Sequence, residues 1–327
     1  MKYVLGIDQG GSKTHAIVMD KDGVVRGFGK SKGACHSAGP LDVALDYIEE
    51  AVDEALKESG LGRKQIDHIG AGLTGIDWDY EADMLKEALG ERLQNKNISV
   101  VNDCIIAMRA DTSGDVTGVI CVGSGTNCAV RNKDELFIYG FYIPDEYQGG
   151  MCLGKKTVQA VFDAEIGLED STKLRQGVLE FFGVSNVEEL LYLRSTNQID
   201  EKMYLELPIL LEEVAVHGDK VAVKIWEDYG KQLARFVTAR IKLMKIQDKP
   251  IEIILSGSIF KCKVPQFIEC VKKEILKCAP EAKVSSAVYE PIVGAALLAL
   301  DQLYCEPLPE YVYQNLEQSA EKYMIKR

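Results

Sequence analysis

No CxxC pair and no HExxH occurs in this chain of 327 residues, and histidine is scarce. The four histidines, His15, His36, His68 and His217, have no evident serine or cysteine partner. These absences exclude the common hydrolase nucleophiles and helical zinc sites as expectations. Basic charge is also short. Lysine and arginine number 38 against 50 aspartates and glutamates, a net charge of −12. Neither nucleic acid nor an acidic membrane surface is expected as a partner. No apolar run approaches a transmembrane length, and no basic segment with a long apolar run opens the chain. No membrane partner, no signal peptide and a cytoplasmic location are therefore expected. Nine cysteines do occur: Cys35, Cys104, Cys121, Cys128, Cys152, Cys262, Cys270, Cys278 and Cys305. Their odd count and apolar surroundings read as buried, reduced thiols.

What is present alternates strands and helices. KYVLGID, HAIVMD and VVRGFGK read as three strands, and residues 41–58 as a helix with apolar positions 41, 45, 48, 52 and 56. IDHIGAGL and ISVVND are further strands, with helices WDYEADMLKEAL and CIIAMRAD following them. GVICVGSG, NCAVRNK and ELFIYG then repeat the opening pattern of strand, glycine-rich turn, strand, polar turn. Two such units imply two related α/β domains. Residues 151–246 read as mostly helical, with long amphipathic stretches around 174–182 and 206–246. IEIILSGSIF, a helix, AKVSSAVY and EPIVGAALLALDQL complete the pattern. The expected domains are 1–117 and 118–303, the last helix packing back on the first, with a polar, amphipathic tail at 304–327.

GIDQGGSKT at 6–14 is not a P-loop, because the lysine falls one place late and a strand follows. It reads either as a plain hairpin turn or as a turn whose Gly10, Gly11 and Ser12 N–H groups face a phosphate. In the second reading Lys13 and Thr14 add donors, and the glycines allow close approach and positive φ. Asp8 beside phosphates calls for a cation between, hence Mg²⁺ through water. GAGLTG at 70–75 fits a dinucleotide fingerprint in outline, but no acidic residue ends the next strand at the required distance. Asp103 in VVNDCIIAM ends a strand where open α/β sheets present ligand-binding groups; an N-cap explains it equally. VGSGTN at 122–127 reads as a second phosphate turn. Asp145 and Glu146 in PDEYQGG read as acceptors for substrate hydroxyls or as a charged loop. LSGSIF and PIVGAALLAL place small residues for a flat ligand or for tight packing.

In order, these motifs resemble the five-part nucleotide signature of the actin-like ATPase and sugar-kinase superfamily. Within it the chain is most similar to the N-acetylglucosamine kinase and BadF/BadG ATPase family. GSGTNCAV followed by GFYIPDEYQGG resembles that family's G-T-G-S-N-C and G-W-G-x-x-x-G-D-E-G-S, and GLTGID at 72–77 also fits. The resemblance implies two ribonuclease-H-like domains with a nucleotide cleft between them, ATP and Mg²⁺ as cofactors, a small-molecule sugar as acceptor and a homodimer. It implies Asp8 for Mg²⁺, Asp103 as the catalytic base, and Gly10, Gly11, Ser12, Lys13, Thr14, Gly123, Ser124, Gly125 and Thr126 around the phosphates. Gly257, Ser258 and Gly294 would approach the adenosine. His36, Gly75, Asp103, Ser124, Gly125, Phe141, Asp145 and Glu146 would face the sugar. The acceptor half departs from the family pattern: His36 of GACHSAG stands about where an asparagine is usual, Phe141 replaces tryptophan, and Pro144–Gln148 lacks the small flanking residues. An ATP-dependent kinase of an amino sugar or N-acetylated amino sugar is the implied function. The same superfamily holds ATPase activators of 2-hydroxyacyl-CoA dehydratase or benzoyl-CoA reductase type, which carry an iron–sulfur cluster on cysteines. The DE loop and the helical 151–246 region favour the kinase, and Asp8 with Asp103 favours either enzyme over a non-catalytic sensor.

Overall fold

A computed structural model describes residues 1–304 and 307–326, so Cys305 lies outside the described residues. The chain forms two compact units, Met1–Val119 with Ser285–Arg327, and Ile120–Val284.

The first unit opens with β1 (Tyr3–Gln9), β2 (Lys13–Asp20) and β3 (Val25–Lys32), an antiparallel meander. Helix α1 (Leu41–Ser59), β4 (Ile66–Leu73), α2 (Asp79–Leu93), β5 (Ile98–Asn102) and α3 (Asp103–Asp111) follow. β4 pairs parallel with β1, and β5 with β4, giving the order β3-β2-β1-β4-β5. β1 is buried along almost its whole length because both faces of the sheet are covered. α1 stops where Gly60 adopts φ 70° and the Leu61 N–H reaches back to the Leu56 carbonyl at 3.1 Å.

In the second unit β6 (Val116–Val122), through which the chain enters it, β7 (Thr126–Asn132) and β8 (Glu135–Ile138) form the next meander. The helices α4 (Gly149–Glu165), α5 (Leu174–Phe182), α6 (Val187–Ser195), α7 (Leu207–Val216) and α8 (Lys220–Leu243) come next. β9 (Glu252–Ser256), α9 (Pro265–Cys278) and β10 (Lys283–Ser286) complete a sheet of order β10-β9-β6-β7-β8. Counted from its own first strand, that order equals the order of the first sheet, so the duplicated start seen in the sequence extends to the whole sheet. The expected single stretch at 206–246 is two helices. Gly218 at φ 82° ends one, and the Asp219 carboxylate caps the next by accepting the Ala222 N–H at 3.0 Å. Trp226, Tyr229 and Phe267 fill this unit's interior.

The final segment returns to the first unit. α10 (Pro291–Tyr304) crosses β1 and β4 so closely that a Cβ at Gly6 would lie 2.7 Å from the Ala296 nitrogen, and one at Gly70 2.1 Å from the Ala295 carbonyl. The boundary expected at 303 therefore falls near 284, and Gly70 and Gly72 of GAGLTG serve helix-on-sheet packing. The tail carries α11 (Glu310–Ala320), whose Val312, Leu316 and Ala320 are buried in the same core as Val4, Ile17 and Ile292. Among the described residues no helix is long and apolar enough to cross a membrane. Of the eight described cysteines, Cys104, Cys128 and Cys152 are buried and the other five half-buried.

Candidate active site

At the end of β1 the hairpin closes through the Gly10 N–H, which donates to the Lys13 carbonyl at 2.9 Å. That donor is therefore spent within the turn. Neither Gly10 nor Gly11 has positive φ, so the expected conformational reason for glycine fails. The remaining reason is space: a Cβ at Gly11 would meet no atom within 4 Å. The turn is thus a bare shelf, with the Lys13 ammonium over half exposed and 3.7 Å from Glu290. Ser12 belongs to the same shelf. Thr14 differs from expectation. It is fully buried, its hydroxyl donates to the Lys32 carbonyl at 2.7 Å and accepts from Gln9 at 3.2 Å, so its one proton is committed. Thr14 braces the turn rather than offering a donor to a phosphate. Asp8 is half-buried at the strand end beside the shelf.

The loop 33–37 links this shelf to a second turn. A Cβ at Gly33 would lie 2.4 Å from the Ser12 nitrogen. Two residues on, Cys35 and Ser37 close over Gly75, which has φ 81° and no room for a side chain, its Cβ position being 2.5 Å from the Cys35 sulfur. His36 is carried into the same region. Its side chain is 7 % exposed, and its Nε2 lies 3.5 Å from Glu81 Oε1 without a hydrogen bond.

Asp103 sits at the other side of the Gly75 turn, at the end of β5. The alternative that it is an N-cap is resolved by its neighbour. The Asn102 carboxamide accepts the Cys104 N–H at 3.0 Å and donates to the Ile76 carbonyl at 2.8 Å, so Asn102 caps α3 and ties it to the 74–77 turn. Asp103 occupies the first helical turn with its carboxylate left for other work. Burial pushes its pKa up to about 6 against the pull of the Thr74 hydroxyl and of helix N–H groups, and Asp77 raises it further. Thr74, Asn102 and Gly33 were not singled out from sequence. Thr74 stood in the quoted GLTGID, and the other two act only through the fold.

In the second unit the turn 123–125 leaves β6 next to the end of β9. Gly257 has φ 104°, and a Cβ there would lie 2.1 Å from the Val122 carbonyl, while a Cβ at Gly123 would meet the Ser258 hydroxyl at 3.9 Å. Gly123, Ser124, Gly125, Gly257 and Ser258 are thus neighbours, with Ser124, Gly125 and Ser258 exposed. Thr126 repeats the pattern of Thr14. Its buried hydroxyl donates to the Tyr147 carbonyl at 2.7 Å and accepts the Gly149 N–H at 2.8 Å, with the Tyr229 hydroxyl 2.9 Å away. The N-terminus of α4 seats in the turn. The Gly150 N–H donates to the Gly123 carbonyl at 2.8 Å, and a Cβ at Gly149 would lie within 2.6 Å of the Gly123, Ser124 and Gly125 carbonyls. Gln148 completes the seat by accepting the Thr126 N–H at 2.9 Å. Asp145 and Glu146, exposed in a single 3₁₀ turn, are held by this seat, and Phe141 stands nearby, 74 % exposed. A Cβ at Gly294 would sit 1.8 Å from the Ile106 carbonyl, so its smallness serves the α10–α3 contact within the first unit.

The sequence model described as the BadF/BadG/BcrA/BcrD ATPase family matches residues 5–299. An N-acetylmuramic acid/N-acetylglucosamine kinase of Clostridium acetobutylicum is 24 % identical over 304 residues, covering 91 % of this chain and 98 % of that one. A glucosamine kinase of Vibrio cholerae is 26 % identical over 248 residues, 73 % of this chain and 80 % of that one. Among solved structures, a ROK family glucokinase from Streptomyces griseus, in complex with glucose and AMPPNP, superposes with a TM-score of 0.60 at 19 % identity, covering 91 % of this chain and 99 % of that one.

Proposed function

The chain belongs to the BadF/BadG/BcrA/BcrD ATPase family, and from that premise we propose that it is a sugar kinase moving the terminal phosphoryl group of ATP to a hydroxyl of an amino sugar or N-acetylated amino sugar. The observation that carries the reading is the contiguity of one surface in the first unit. The bare turn 10–13, the 33–37 loop, the 74–77 turn and Asp103 touch in sequence, so a phosphate shelf and a desolvated carboxylate share one site.

Phosphoryl transfer needs positioning and charge neutralisation more than covalent chemistry. Asp103 accepts the acceptor hydroxyl's proton. Its pKa of about 6 leaves it ionised at neutral pH yet more basic than an ordinary carboxylate. Thr74 and the cap at Asn102 hold that carboxylate in place. Lys13 offers positive charge to the phosphates once it leaves Glu290. Gly11 and Ser12 offer backbone approach, and Gly123, Ser124 and Gly125 are the corresponding groups of the second unit. Asp8 suits a hard divalent cation that keeps most of its waters and takes further oxygens from phosphates. Bound Mg²⁺ would neutralise charge developing on the transferred group.

The test is ADP release with Mg·ATP over a panel of hexoses, amino sugars and N-acetylated amino sugars. Sugar-dependent turnover is expected, and ATP binding with no turnover on any sugar would overturn the reading.

A further inference from the structure

We propose that the acceptor site selects a cationic amino sugar over its N-acetylated counterpart, through the carboxylate of Asp77. The inference rests on the kinase reading above and narrows its substrate class.

Three carboxylates gather where the 74–77 turn meets α2 and α3, and two of them have duties. Glu81 accepts the Asp77 and Trp78 N–H groups at 2.8 and 3.0 Å, which starts α2. Asp103 is the base, held by Thr74. Asp77 has neither duty. It is half-buried, and its carboxylate accepts no hydrogen bond from the described residues. Burial and the Glu81 carboxylate raise its pKa, and His36 pulls it back down. A half-buried carboxylate beside two others, with no lysine or arginine and a single imidazole, His36, among the groups acting on it, is electrostatically under-compensated.

A second observation points to a ligand at the same place. The His36 side chain is 7 % exposed, and its Nε2, 3.5 Å from Glu81, makes no hydrogen bond. Buried polar atoms are rarely left unpaired. The Gly75 turn explains how the imidazole comes to be there. A Cβ at Gly75 would lie 2.7 Å from the Ser37 hydroxyl and 3.5 Å from His36 Cε1, so the 33–37 loop presses directly on the turn.

An ammonium on the sugar ring adds a cation beside three carboxylates that otherwise share one imidazole, and donates to Asp77. An acetamide leaves the charge unbalanced and brings its carbonyl oxygen toward carboxylate oxygens. A carboxylate-bearing acceptor adds like charge. A charged hydrogen bond of this kind is worth about tenfold or more in discrimination.

The experiment compares kcat/KM for glucosamine, N-acetylglucosamine and glucose, using the full chain with Mg·ATP at neutral pH. The expected result is a glucosamine preference of about tenfold or more over N-acetylglucosamine. Asp77→Asn should cut that ratio by about tenfold, mainly through KM, and Asp77→Glu should restore part of it. Calorimetric binding of the two amino sugars to the unmutated protein gives the same preference without any variant. A preference for the N-acetylated sugar, or a ratio unchanged in Asp77→Asn, overturns the inference while leaving the kinase reading intact. Absence of turnover on all three sugars, with glucosamine bound no better than N-acetylglucosamine, overturns both.

Discussion

Asn102 and Asp103 divide two tasks that one residue at a helix start usually combines. Asn102 caps, so Asp103 is free to titrate. Its folded pKa of about 6 stands above the ordinary 3.8. As the proposed base, Asp103 works deprotonated, so kcat/KM should fall tenfold per unit as pH drops below about 6, which a pH–rate profile checks. Asp103→Asn should lower kcat by about 10²–10⁴-fold with ATP binding retained. The same shift has a stability cost. The folded state holds this proton more tightly than the unfolded state, so stability falls as pH rises from about 4 to about 6 and stays lower above. Asp103→Asn should therefore melt above the unmutated protein at pH 7, the difference vanishing below about pH 4 in thermal scans. Gly149 is another residue whose identity is forced. At φ 47° with three carbonyls inside 2.6 Å of its Cβ position, Gly149→Ala should cost about 3 kcal/mol, read by denaturant titration, and loosen Asp145 and Glu146.

Elements meet here through threonines and glycines. Thr14 stands second in β2 and Thr126 first in β7, and each gives its proton to a neighbouring carbonyl, at Lys32 and at Tyr147. Each ties a phosphate-turn candidate to the rest of its unit. Gly294 is the point where α10 crosses α3, the helix that Asp103 begins. Arg109 of α3 reinforces the crossing with paired bonds to Asp301 at 2.8 and 2.9 Å and one to Tyr313 of α11 at 3.2 Å. Gly294→Ala should lower the melting temperature, since overpacking costs about 1–3 kcal/mol. In the protein that remains folded, ATP affinity should be unchanged. A weakened ATP affinity at unchanged stability would return Gly294 to the adenosine.

For the whole molecule, the tail is part of the first unit's core. Val312, Leu316 and Ala320 are fully buried and Ile325 nearly so, and a Cβ at Gly23 would lie 2.2 Å from the Val312 carbonyl. The Val25 N–H donates to the Ser319 hydroxyl at 3.1 Å, and the Asn315 carboxamide donates to the Asp22 carbonyl at 2.8 Å. Deleting 307–327 exposes several apolar side chains, each worth about 1.5–3 kcal/mol. The deletion should yield insoluble protein or a markedly lower melting temperature, checked by soluble yield and calorimetry.

Strand and helix order was legible because each element carries its own period, and the repeat of strand, glycine turn and strand announced two like sheets. Motif order, from GIDQGGSKT to PIVGAALLA, was enough to suggest the family. Tertiary structure decided which of several small or polar residues does what. It moved Gly10 and Gly11 from positive φ to open space, and Thr14 and Thr126 from donors to braces. It made Asn102 the cap, and broke 206–246 at Gly218. The physical reason is common to all. A hydroxyl proton, a cap or the space for a Cβ is claimed by whichever neighbour the fold brings near, such as Lys32 for Thr14 or Ile106 for Gly294, and those neighbours stand far away in sequence.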